Sequence, residues 1–93
     1  MSGTQDLAAL RARMDALNAR LITLLHERAA LAREIGRCKR AAALPVHDST
    51  RERAELSAAS ETRPDDGFTP EQLHRILGEV IAASRALVEA PET

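Results

Sequence analysis

The stretch from Arg28 to Arg53 reads RAALAREIGRCKRAAALPVHDSTRER and holds most of the residues that could do chemistry. On one continuous helix Arg28 and Lys39 fall within about 20° of the same face, roughly 16 Å apart along the axis. Pro45 then turns the chain, and Asp48, Arg51 and Glu52 gather at the start of a second helix. Two cations on one inner face, with a mixed acid–base cluster beside them, form a site for a small dianion. Such a face is costly to bury without partner charges. Covalent chemistry has little support. Cys38 is the single cysteine and has no histidine at a useful spacing, so it reads as a small buried hydrophobe. His26, His47 and His74 do not have metal-ligand spacing.

The elements that must hold these residues are helical. Leu7, Leu10, Met14, Leu17, Leu21, Leu24, Leu31 and Ile35 step by three and four, which predicts a helix from about Gln5 to about Ala42 with Asp6 capping its start. Arg28 stands in that stripe where an apolar residue was due. A helix of that length would be about 55 Å long, too long for a compact domain of this size, so it is expected to pack against a copy of itself. Helix two is expected from Asp48 or Ser49 to about Glu61, with Ser49 and Glu52 at capping-box spacing. A turn-rich RPDDGF connection follows. Thr69, Pro70 and Gln72 then give an N-cap, a first-turn proline and a capping-box partner. Helix three buries Leu73, Ile76, Leu77, Val80, Ile81, Ser84, Leu87 and Val88 and ends near Pro91. Gly36 and Gly78 cost helix propensity and mark close helix approach.

The bulk composition agrees. The 93 residues make one domain, 1–93, and 44% hydrophobic with 29% charged residues makes it globular. Phe68 is the only aromatic residue, so the core must be aliphatic, which suits packed helices and argues against a β-sandwich. Residues 1–53 carry a net charge of +4 and residues 54–93 carry −5. The basic residues are interleaved with acids, no aromatics are available for base stacking, and no nucleic-acid motif is present. The N-terminus lacks a secretory pattern and no apolar run approaches a membrane span, so a soluble cytoplasmic protein is expected.

The polar residues Arg11, Arg28, Lys39, Asp48, Arg51, Glu52 and Ser84, within LAALRARMDALNARLITLLHERAALAREIGRCK and PVHDSTRER, resemble the all-helical class of chorismate mutases from about Leu7 to Val88. The resemblance implies an all-α fold of three helices per chain in an intertwined homodimer. It also implies cofactor-free rearrangement of chorismate to prephenate. Chorismate carries two carboxylates, a ring hydroxyl and an ether oxygen that gains charge as its C–O bond breaks. Arg28 would hold a carboxylate as a bidentate fork, and Lys39 would stabilise the ether oxygen. Glu52 and the backbone around Asp48 would orient the hydroxyl, Ser84 would donate to a carboxylate, and Arg51 would join them among the substrate-binding residues with a larger structural share than Glu52. Arg11 lies roughly 25 Å along the helix from Arg28, too far to share one small molecule within a chain, and would reach the partner's site.

One position departs from the pattern. Four residues after Ser84 the family commonly has Gln or a protonated Glu as a second donor to the ether oxygen; this chain has Val88. Glu89, about 100° round the helix, does not replace it. The departure keeps two alternatives in view: a mutase for 4-amino-4-deoxychorismate, and a weakly active helical dimer regulated by, or regulating, a partner enzyme. An isochorismate-pyruvate lyase fits less well, because DSTRER resembles the mutase loop.

Overall fold

The computed structural model describes residues 3–61 and 67–90. Three helices follow in order: α1 (Gly3–Ala41), α2 (Ser49–Glu61) and α3 (Pro70–Glu89). This is the all-α, three-helix architecture that the sequence implies. Most of the RPDDGF connection and Pro91 lie outside the described residues.

The helix ends show which local signals act. Helix α1 begins at Gly3, so Asp6 lies inside its first turn and not at the cap; there its charge still favours the positive end of the helix dipole. At the other end Leu44 N–H donates to Lys39 O at 2.8 Å and Ala43 N–H to Arg40 O at 3.1 Å, the paired bonds of a Schellman stop. Ala43 takes the left-handed position with φ 57°, where glycine is usual. Asp48 caps α2, its Oδ1 accepting from Arg51 N–H at 3.0 Å. The Ser49–Glu52 capping box does not form, because Ser49 is already helical and Glu52 is drawn towards α3. Thr69 caps α3 as expected, with Gln72 N–H donating to its hydroxyl at 3.2 Å and Thr69 N–H donating to Gln72 Oε1 at 2.9 Å. The helix stops at Glu89, with Ala90 as C-cap.

Helix α3 is the shared element: both α1 and α2 pack on it. The three helices form a slab of 62 × 32 × 14 Å, about one helix thick. Stable domains need a second layer to bury the apolar face of the first. Ile81, at 6% exposure, is the one buried hydrophobic side chain among the described residues. Every residue from 6 to 27 is exposed. The stripe Leu7, Leu10, Met14, Leu17, Leu21 and Leu24 is 47–59% exposed. The radius of gyration is 17.6 Å, against about 12 Å for a compact domain of this length. Ile76 and Leu87 of α3, expected to be buried, are 48% and 38% exposed because α1 and α2 cover only part of that helix. No described helix is long and apolar enough to cross a membrane.

The glycines and Cys38 divide by face. Gly36 is buried, and a Cβ there would lie 2.6 Å from Val88 Cγ1, so α1 and α3 approach closely at that point. Beyond its own helix backbone, no described residue comes within 4 Å of the equivalent atom on Gly78, so among the described residues of one chain the close approach expected there does not form. Cys38 is exposed, not buried as expected. It lies two residues beyond Gly36, about 200° round the helix, and so points away from α3.

Candidate active site

The last third of α1, the connection to α2, the first half of α2 and the last half of α3 enclose one cleft of about 550 Å³. Arg28 and Lys39 enter it from α1, as their shared helical face requires. Asp48 stands at its rim in the connection, with Arg51 and Glu52 one turn further on. Ser84 and Val88, one turn apart, face it from α3. Of the eight residues expected at the substrate, Arg11 alone does not line the cleft; it lies on the exposed N-terminal part of α1.

Arg28 is held from two sides. Its Nη1 donates to Ser84 Oγ at 2.7 Å and its Nη2 to Glu55 Oε2 at 3.0 Å. The Ser84 hydroxyl in turn donates to Val80 O at 2.8 Å. Ser84 therefore fixes Arg28 as an acceptor, while its own proton is engaged in the helix. Glu55 also takes Arg51 Nε at 3.3 Å, an i,i+4 pair on the α2 surface. A guanidinium has five N–H groups, so a plane fixed by two bonds still offers donors to a carboxylate in the cleft. Lys39 Nζ lies 3.5 Å from Val46 O, which ties the end of α1 to the connection.

Glu52 has a separate set of partners. Arg85 Nε donates to Glu52 Oε2 at 3.3 Å and Arg85 Nη2 to Oε1, so the guanidinium grips both carboxylate oxygens. His47 Nε2 lies 3.4 Å from the same Oε2. The Arg85 hydrogen bond holds the Glu52 carboxyl below its ordinary pKa; partial burial opposes this, and the charges of Arg85 and His47 add to it. The same hydrogen bond raises Arg85, against some desolvation. The far wall is apolar. Val88 rests on Gly36, and Arg40 Nη2 donates to Val88 O, pinning the end of α3 to α1.

Sequence reasoning missed Glu55, Arg85 and the role of His47. Arg85 directly follows Ser84, and Glu55 stands one turn beyond both Arg51 and Glu52, yet either reads as an ordinary exposed helix charge until the packing of α3 is known. Among the described residues no group of three or more His, Cys, Asp or Glu side chains is placed to hold a metal ion.

The profile of the family described as chorismate mutase type II matches residues 10–89. The chain belongs to the type II chorismate mutases. Form II of the chorismate mutase from Thermus thermophilus is 32% identical, with a TM-score of 0.86, over 95% of this chain and 99% of that one. Form I from the same organism is 33% identical, with a TM-score of 0.80, over 85% and 98%. Among curated proteins none matches. In this member of the chorismate mutase family, Arg28, Lys39 and Glu52 converge on the cleft between α1, α2 and α3.

Proposed function

We propose that this cleft binds chorismate and promotes its rearrangement to prephenate without a cofactor, and that the working unit is a homodimer of 1–93 chains with two shared sites. The observation that carries the proposal is the convergence of Arg28, Lys39 and Glu52 on one cleft of net positive charge. Four cations and three carboxylates line it, a net charge of +1 with His47 neutral. Arg11 from a second chain raises that to +2, the complement of a dianion. No nucleophile or general base is required for a unimolecular pericyclic step. Arg28, its plane fixed by Ser84 and Glu55, holds one carboxylate, and the partner's Arg11 holds the other. Lys39 stabilises the charge that grows on the ether oxygen, and Glu52 accepts from the ring hydroxyl.

The dimer rests on the exposed stripe of α1. Covering six half-exposed apolar side chains stabilises each chain by on the order of 5 kcal/mol. A single slab cannot otherwise offset its ordering entropy. A cytoplasmic location belongs to the same proposal and suits the one exposed cysteine. A second reading, a slow enzyme raised by a partner enzyme, is favoured by one observation only: Val88 lines the cleft and offers no donor.

The test is turnover of pure protein with chorismate, isochorismate and 4-amino-4-deoxychorismate in parallel. Conversion of chorismate to prephenate as the dominant activity is expected. Dominant turnover of either other substrate, or of none, contradicts the proposal.

A further inference from the structure

We propose that Arg85 is a positioning residue that makes the site select a neutral hydroxyl over an ammonium at the ring carbon facing Glu52. This rests on the function proposed above. Taken alone, Asp48 and Glu52 form an acidic rim that an ammonium would favour as much as a hydroxyl. The structure gives Glu52 two nitrogen-bearing neighbours, His47 and the permanently cationic Arg85. Arg85 engages both carboxylate oxygens, through Nε at 3.3 Å from Oε2 and through Nη2 on Oε1. His47 Nε2 adds a contact at 3.4 Å. A carboxylate gripped in this way has its charge balanced but keeps lone pairs directed elsewhere, so it accepts a hydrogen bond from a hydroxyl. An ammonium entering the same place meets a guanidinium as its neighbour, with no net negative charge to compensate it.

The other groups on the cleft do not reverse this. Arg28 and Lys39 face it from α1, His47 and Asp48 from the connection, Arg51 and Glu55 from α2, and Arg85 from α3. Glu55 is already shared between Arg28 and Arg51. The charge of Glu89 acts on Arg85. Asp48 spends Oδ1 on the cap of α2. Arg85 is therefore the cation whose removal frees the Glu52 charge. The lowered Glu52 pKa follows from the same contacts and supports the assignment.

The experiment compares the wild type, Arg85→Gln and Arg85→Lys, with dimer mass and helical content checked for each. kcat/KM is measured for chorismate and for 4-amino-4-deoxychorismate across the acid range. The wild type should prefer chorismate. Arg85→Gln should shift the ratio towards the amine by about tenfold or more, and should move the acid limb of the chorismate profile to higher pH as Glu52 loses its partner. Arg85→Lys should restore most of both, since it keeps the charge. An unchanged ratio and acid limb in a folded Arg85→Gln dimer overturns the inference while leaving the function intact. Should Arg85→Gln not fold, a ratio in Arg85→Lys that follows the charge supports the inference, and one shifted as far as tenfold overturns it. Turnover of neither substrate by the wild type overturns both readings.

Discussion

Val88 sits directly on Gly36, with its Cγ1 2.6 Å from where a Cβ on that glycine would be. The obstructing atom belongs to a β-branched side chain on a helix, which cannot swing aside cheaply. Gly36→Ala should therefore push α3 away from α1. The overpacking costs about 1–3 kcal/mol, and the gain in helix propensity offsets about 1 kcal/mol, leaving a net loss of up to roughly 2 kcal/mol. Thermal unfolding of Gly36→Ala, Val88→Ala and the double variant checks this. The double variant should be more stable than the two single losses imply, with a coupling of about 1 kcal/mol.

The same valine removes a donor from the cleft wall. Val88→Gln should add a hydrogen bond to an ether oxygen that becomes a strong acceptor only in the transition state. Such a bond is worth about 1–3 kcal/mol, a rise of roughly five- to a hundredfold in kcat with KM little changed. Steady-state kinetics on chorismate decide it. An unchanged or lower kcat would mean that another group already donates at that place.

Ala43 occupies a backbone conformation that costs an L-residue about 1–2 kcal/mol, and its φ is 57°. Ala43→Gly should stabilise the protein by about 0.5–1 kcal/mol after the larger entropy of the unfolded glycine is counted. The melting temperature should rise while turnover is unaffected.

How much of this was legible in the sequence depends on how local each signal is. The caps at Asp48 and Thr69 and the stop before Pro45 act over three or four residues, so the helices could be placed. Arg28 stood out because it broke an apolar stripe. The spacing that joined it to Lys39, Asp48 and Glu52 survives as one cleft. Glu55 and Arg85 could not be found in this way, because their meaning depends on which face α3 turns towards α2. Within one chain Cys38 and Gly78 depart from expectation for the same reason: residue type suggests burial or close approach, but helix phase decides which side meets a neighbour.

Glu52 predicts a pH dependence whose sign follows from its contacts. Its folded pKa is lowered, chiefly by the Arg85 hydrogen bond. The pair therefore stabilises the fold above the ordinary carboxylate pKa of about 4.3, and that stability is lost as pH falls through the lowered value. Glu52→Gln should melt below the wild type at neutral pH, and the gap should close in acid. Melting curves across the acid range are sufficient; a gap that is constant with pH would show that Glu52 does not act through its charge.

If each site is built from two chains, mixing two inactive dimers should restore activity. Arg28→Ala removes a carboxylate anchor and should lower kcat/KM by several hundredfold or more, from roughly 3–5 kcal/mol of lost transition-state stabilisation. Arg11→Ala should be severely impaired as well, although Arg11 lies outside the cleft of its own chain. After subunit exchange, a heterodimer of the two variants places both lesions in one site and leaves the other whole. Mixed samples should recover turnover in proportion to the heterodimer present, approaching half the wild-type rate per heterodimer. Confirmed heterodimers with no recovery, or full activity in Arg11→Ala alone, would rule out sites shared between chains.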